Sequence, residues 1–145
     1  MKDIEVVGFG ASELEDYLKS ATQRQGRVIR PDAEPEKGHY FRSDHFNLAK
    51  HGVPSLYTET GIDAVGRPAG FGQSFKDDYT ANRYHKPSDE YTESWDVSGI
   101  LEDLSLLHAV GSKVANERHW PEWYPKSEFR AIREASRNAT SGGAH

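Results

Sequence analysis

Residues 4–9 read Ile4-Glu5-Val6-Val7-Gly8-Phe9, a β-branched and apolar run closed by Gly8 and Gly10. That composition predicts a buried strand. The residues after it set the fold class. Ser12 offers a helix N-cap, and Glu13, Glu15 and Asp16 sit where a helix N-terminus favours negative charge. Leu14, Tyr17 and Leu18 share one helical face, so a helix to about Gln25 is expected, with Gly26 as its stop. Arg27-Val28-Ile29-Arg30 then reads as a short strand, and β-α-β is the local pattern.

Working outward, residues 31–38 (PDAEPEKG) carry two prolines and four charges and read as a loop. Residues 43–52 predict a short helix capped by Ser43 and stopped by Gly52, with Phe46 and Ala49 on one face. Residues 53–58 predict a strand, with Pro54 at its start or on an edge. Residues 61–86 are glycine-rich and aromatic with little periodicity, so a long loop, functional or disordered, is expected there. Residues 98–117 give the clearest helix, and its stripe of Ile100, Leu104, Leu107 and Val114, widened by Leu101 and Val110, is expected to face the core. Trp120, Pro121, Trp123 and Pro125 mark a rigid turn before a last short helix from about Ser127 to Ala135, and residues 137–145 are expected to be a flexible tail. The order is that of an α/β domain, with a mixed sheet of about three or four strands flanked by helices. That is few strands for a complete fold of this class.

The 145 residues suit one domain or a large piece of one. With no cysteine, disulfides, thiolate zinc sites and a cysteine nucleophile are excluded together. Eighteen basic residues against 23 acidic ones give a net charge of −5, which argues against a nucleic-acid or anionic-membrane surface. Mean hydropathy is −0.81, and no apolar run approaches the ~20 residues of a membrane span. The opening MKDIEVVGFG lacks the apolar stretch of a signal peptide.

Seven histidines are present, none in a His-Glu-x-x-His pattern and no pair at the i, i+4 spacing that shares a helix face. Two segments concentrate chemistry. Arg83-Tyr84-His85-Lys86-Pro87-Ser88-Asp89 places a phenol beside an imidazole and a carboxylate four residues on. A zinc-bound imidazole needs its second nitrogen oriented, commonly by a carboxylate, and a tyrosine beside a metal can donate to a forming oxyanion. On chemistry alone this segment is either a metal site or a tyrosine and histidine closing a loop. The second segment is Phe41-Arg42-Ser43-Asp44-His45-Phe46, which taken alone reads as a helix cap.

Together, FRSDHFNLAKHGVPSLYTETG, some two dozen loop residues and then YHKPSDEY resemble the C-terminal third of the co-catalytic di-zinc aminopeptidases of clan MH, which include glutaminyl cyclases and carboxypeptidases. The resemblance runs from about Ile4 to Leu107 and is carried by Arg42-Ser43-Asp44-His45, Gly52-Val53-Pro54, and Tyr84-His85 with Asp89. It implies a partial three-layer sandwich of the zinc-exopeptidase type, with residues 1–136 as the C-terminal portion of a catalytic domain. It implies that His85 is a terminal ligand of one of two zinc ions and that Tyr84 stabilises the tetrahedral intermediate. Asp44 and His45 would line the pocket, Arg42 would contact substrate, and Asp89 or a backbone carbonyl would orient His85. The substrate class implied is peptides cut at the N-terminal residue, and many relatives are secreted or periplasmic.

The pattern is incomplete. The family's bridging aspartate comes from a His-x-Asp motif and its general base from a Glu-Glu pair, and this sequence contains neither. One imidazole cannot hold a catalytic zinc, which needs about three protein ligands. Two readings stand. The chain is a C-terminal fragment, inactive alone and prone to self-association, which the start on a strand and the small strand count favour. Alternatively it is a stand-alone, non-catalytic, protease-like binding module.

Overall fold

β1 (Asp3–Val7) is buried along its whole length because it is the middle of the sheet. The structure is a computed structural model that describes residues 1–141. β2 (Val28–Pro31) runs parallel to β1, pairing Asp3 with Val28, and β3 (Tyr57–Thr60) runs antiparallel to it, pairing Val7 with Tyr57. The strand order β2-β1-β3 makes a three-stranded mixed open sheet, at the low end of the expected count.

Side chains alternate across a strand, so Ile4 and Val6 share one face while Asp3, Glu5 and Val7 share the other. The Ile4/Val6 face carries the main core. Onto it α1 (Leu14–Arg24) packs Tyr17, Leu18 and Ala21, and α5 (Ser98–Asn116) packs Leu106 and Val110. The opposite face meets α4 (Phe71–Asn82), whose Lys76 Nζ lies 3.8 Å from Glu5 Oε1. Helices therefore flank both faces, which is a partial sandwich.

A second core forms beyond the carboxyl end of β1. Two short helices, α2 (His39–Arg42) and α3 (His45–Ala49), meet the segment that leads into α6 (Arg130–Ser141). Ala49, Trp123 and Phe129 are buried there, with Ala11, Tyr40 and Phe46 against them. Trp123 is 0% exposed, and its indole N–H donates to the Gly52 carbonyl at 2.9 Å. Gly52 has φ +81°, and a Cβ there would lie 2.7 Å from the Arg133 backbone nitrogen, so only glycine lets α6 approach.

Several expectations are corrected. Ser12 does not cap α1. The Glu15 carboxylate instead reaches back to the amides of Gly10 and Ala11 at 2.7–2.9 Å and holds the turn ahead of the helix, while Ser12 Oγ is buried without a partner. Residues 61–86 are not one long loop, because α4 occupies their second half. Side-chain bonds four residues apart support it, Gln73 to Asp77 and Asn82 to Asp78, both 2.8 Å. Such polar support leaves no apolar period to read. The strand expected at 53–58 forms at Tyr57–Thr60. The last helix continues past Ala135 to Ser141, so residues 137–141 are helical, while 142–145, with His145, lie outside the described residues.

The largest correction concerns α5. The helix is where the sequence places it, but Ile100, Leu104 and Leu107 are exposed, Leu104 to 57%, and the buried pair is Leu106 and Val110. Residues 100–110 are apolar on more than one side, and α1 selects the 106/110 face. Leu106→Ala should therefore cost about 2–5 kcal/mol, whereas Leu104→Ala should stay within about 0.5 kcal/mol. Urea denaturation of the two variants checks this, and the reverse order would mean the helix is rotated.

Candidate functional site

The segment Arg42-Ser43-Asp44-His45 lies beside the carboxyl end of β1 because Gly8, at φ +76°, lets the Tyr40 ring pack directly on the backbone. Any Cβ at Gly8 would collide with that ring. Tyr40 then meets the His45 ring edge-on at 4.6 Å, and Tyr57 at the start of β3 closes the other side at 5.3 Å. His45 Nε2 is buried with no hydrogen-bond partner. Burial pushes the His45 imidazole below its usual pKa, so it is neutral at pH 7. Arg42 is exposed and donates to the Lys37 carbonyl at 2.8 Å. Asp44 is exposed and opens α3 without a side-chain cap.

From Tyr57 a polar network crosses the sheet. The Tyr57 hydroxyl donates to Glu59 Oε1 at 2.9 Å, and Lys76 donates to Glu59 Oε2 at 2.7 Å. Glu5 is directly opposite Glu59 in the β1–β3 register. Like charges opposite one another destabilise a sheet, and the Lys76 ammonium offsets this by bonding one carboxylate and facing the other. Burial pushes the Glu59 carboxyl up, but Lys76 and Tyr57 outweigh it and the net shift is down. Burial also dominates at Glu5, where Lys76 only partly opposes it, and that carboxyl is raised.

Tyr84, His85 and Asp89 lie in the turns after α4. The amides of Arg83 and Tyr84 donate to the Tyr79 carbonyl at 2.8 and 2.9 Å, which ends the helix. The Tyr84 ring, 50% exposed, stacks on the His85 ring at 3.9 Å. His85 has φ 57°, the one non-glycine residue in the left-handed region among the described residues. Such a conformation costs roughly 1–3 kcal/mol and clusters at functional sites. Among the described residues no bond joins Asp89 to His85, and the Asp89 Oδ2 accepts the Tyr79 hydroxyl at 2.8 Å.

Among the described residues, no hydrogen bond, ion pair or ring contact joins Tyr84 or His85 to Asp44 or His45. What the two segments share is α4, through Lys76 on the sheet side and Tyr79 on the Asp89 side. Sequence reasoning missed Tyr40, Tyr57, Glu59 and Lys76. Two signals were available: a glutamate inside an apolar strand, and Tyr57 and Glu59 two apart on one strand face. Among the described residues no group of three His, Asp or Glu side chains is placed to hold a metal, so the residues present do not fit a catalytic zinc.

The environment of His45 has a measurable consequence. Its unfolded form takes up a proton near pH 6.5 and its folded form only at lower pH. The stability that neutral His45 contributes is thus complete above 6.5 and is lost as pH falls toward the folded value. NMR titration of the ring should give a pKa below 6.5, and His45→Phe should flatten the acid limb of stability in that window.

Among the described residues no helix is long and apolar enough to cross a membrane. No curated protein and no solved structure matches the chain. Residues 2–108 match peptidase family M28, a span that takes in β1, both candidate segments and most of α5. The zinc-peptidase resemblance of the Arg-Ser-Asp-His and Tyr-His segments and this match agree, and the chain belongs to peptidase family M28.

Proposed function

We propose that residues 1–136 are the C-terminal portion of a zinc-dependent aminopeptidase domain. In this reading His85 is one zinc ligand, Tyr84 is the oxyanion donor, and Arg42, Asp44 and His45 form part of the substrate wall. The supporting observation is the Tyr84–His85 pair itself. Its rings stack in the open, and His85 takes a left-handed backbone conformation in the turn that the Lys86 amide closes on the Arg83 carbonyl. Membership of a metallopeptidase family supplies the hydrolase class and peptide substrates. The exopeptidase mode and the individual roles belong to this proposal.

A zinc ion, where bound, supplies a water acidified toward neutrality and a Lewis acid. This chain's own contribution is narrower. His85 presents an accessible imidazole, and Tyr84 presents a phenol beside it. Asp89 holds the Tyr79 hydroxyl of α4 with one oxygen, and the orienting of His85 by Asp89 or by a backbone carbonyl belongs to this proposal. The remaining ligands and the base would come from a His-x-Asp, a Glu-Glu and a further aspartate, of which the first two motifs are absent from this sequence. The second reading, a non-catalytic protease-like binding module, is favoured by the lack of any three-donor group among the described residues.

The purified 145-residue chain should retain far less than one zinc per chain after dialysis and should not hydrolyse aminoacyl anilides. Zinc-dependent release of an N-terminal residue would overturn the proposal. Joined to a segment carrying the missing motifs, His85→Ala should lose one zinc, and Tyr84→Phe should lower turnover with metal content unchanged.

The open sheet and the exposed Ile100, Leu101, Leu104 and Leu107 of α5 support self-association of such a portion. Light scattering should then show a mass that rises with concentration. A clean monomer at high concentration would favour the stand-alone module.

A further inference from the structure

We propose that the cleft beyond the carboxyl ends of β1 and β2 binds a free α-amino acid with a bulky apolar side chain, held as its zwitterion. The cleft has a volume of about 360 Å³, within the range of small-molecule sites. Its place is the one where α/β sheets gather ligands, the crevice outside the carboxyl ends of the strands. One wall continues from β1 and α2, and the other is residues 126–129, which lie outside the span that matches the family. The cleft is therefore a feature of this chain's own C-terminal segment and not of the family frame alone.

Its walls are apolar where they are open. Phe9 and Phe41 line it with 52% and 55% of their surface still exposed, and Phe129 lies deeper. Aromatic rings left open at a concave site suit an aromatic or branched side chain. Its polar groups are unspent. Lys126 and Glu128 both line the cleft, and neither makes an ion pair or hydrogen bond among the described residues. The Tyr40 hydroxyl is buried without a partner, which is costly for a folded protein and is relieved by a ligand acceptor.

One ammonium and one carboxylate, two residues apart beside an apolar hollow, match the paired charges and side chain of an amino acid. The ligand carboxylate would meet Lys126 and the Tyr40 hydroxyl. Its ammonium would meet Glu128, with Asp32, which accepts the Glu34 amide with one oxygen, on the same rim. A simple anion would face Glu128 and a simple amine would face Lys126, so the zwitterion is selected over either. The site needs neither zinc nor turnover. Its failure would leave the peptidase reading standing, and the converse also holds.

The test is calorimetry or saturation-transfer NMR on the 145-residue chain with L-phenylalanine as probe. Phenylalaninamide lacks the carboxylate, N-acetyl-phenylalanine lacks the ammonium and L-alanine lacks the ring. Each should bind about tenfold more weakly, the scale of one lost charge-assisted bond or one lost ring. Lys126→Ala should weaken L-phenylalanine and strengthen phenylalaninamide, whose ammonium no longer faces a like charge, while Phe41→Ala should weaken both. Both side chains lie on the rim, and circular dichroism checks that the variants fold. No binding of L-phenylalanine at roughly 10 mM would overturn the proposal. Equal binding of the three analogues, or indifference to Lys126→Ala, would do the same.

Discussion

Two carboxylates on the central strand organise this molecule. Asp3 and Glu5 are both buried in β1, on the same face, and a buried charge persists only where it is paired and hydrogen-bonded. Asp3 takes Arg30 Nε at 2.9 Å and the amide of Asp63 at 2.9 Å, with the amide of Ile62 further off at 3.3 Å. Those contacts fix β2 on one side and the turn after β3 on the other. Glu5 draws Lys76, and with it α4, onto the sheet. The arginine that supports this end, Arg27, donates to the Asp3 carbonyl and pairs with Asp103 of α5, each at 2.7 Å. Strand order, the seat of α4 and the anchoring of α5 thus follow from satisfying one strand's polar groups.

The far end of β1 is governed by packing instead. Trp123 fills the second core and bonds the carbonyl of Gly52, the glycine of the Gly-Val-Pro motif. Glu13 accepts the amide of Glu122 at 2.9 Å, and the Tyr124 hydroxyl donates to Asp16 at 2.8 Å, so the same segment is pinned to the start of α1. Residues beyond the family span therefore set where a family motif sits. Any substrate wall built from α2 and α3 inherits its position from this local extension.

The sequence made β1, α1 and the existence of α5 legible because each rests on a strong apolar period. The face of α5 was not legible, since Ile100, Leu101 and Leu104 are as apolar as Leu106 and Val110 and only the partner helix distinguishes them. α4 was hidden for the opposite reason: Lys76 and side-chain bonds along the helix hold it, and such contacts leave no hydrophobic stripe. At the candidate site, the motif residues could be picked out by their resemblance. The Tyr57–Glu59–Lys76 network could not, because it joins residues nearly twenty apart through a register that only the folded sheet defines. Ser12 shows local chemistry overridden: its buried hydroxyl makes no cap bond, and Glu15 binds the Gly10 and Ala11 amides ahead of the helix instead.

The two motif histidines sit in opposite environments, and the contrast separates folding from chemistry. His45 is desolvated between two tyrosine rings, and its ring is part of the packing. His85 is exposed, in a left-handed turn, stacked only on Tyr84. Neither main core contains a histidine; one is made of Ile4, Val6, Tyr17, Leu18, Ala21, Leu106 and Val110, the other of Ala49, Trp123 and Phe129. In small metal-dependent domains the ligands are the core, so binding and folding are one event. Here the apolar clusters hold no histidine, and the turn at His85 is closed by its own bond from the Lys86 amide to the Arg83 carbonyl. The His85 imidazole is exposed and lies outside both apolar clusters, so a substitution there reports on chemistry rather than on core packing.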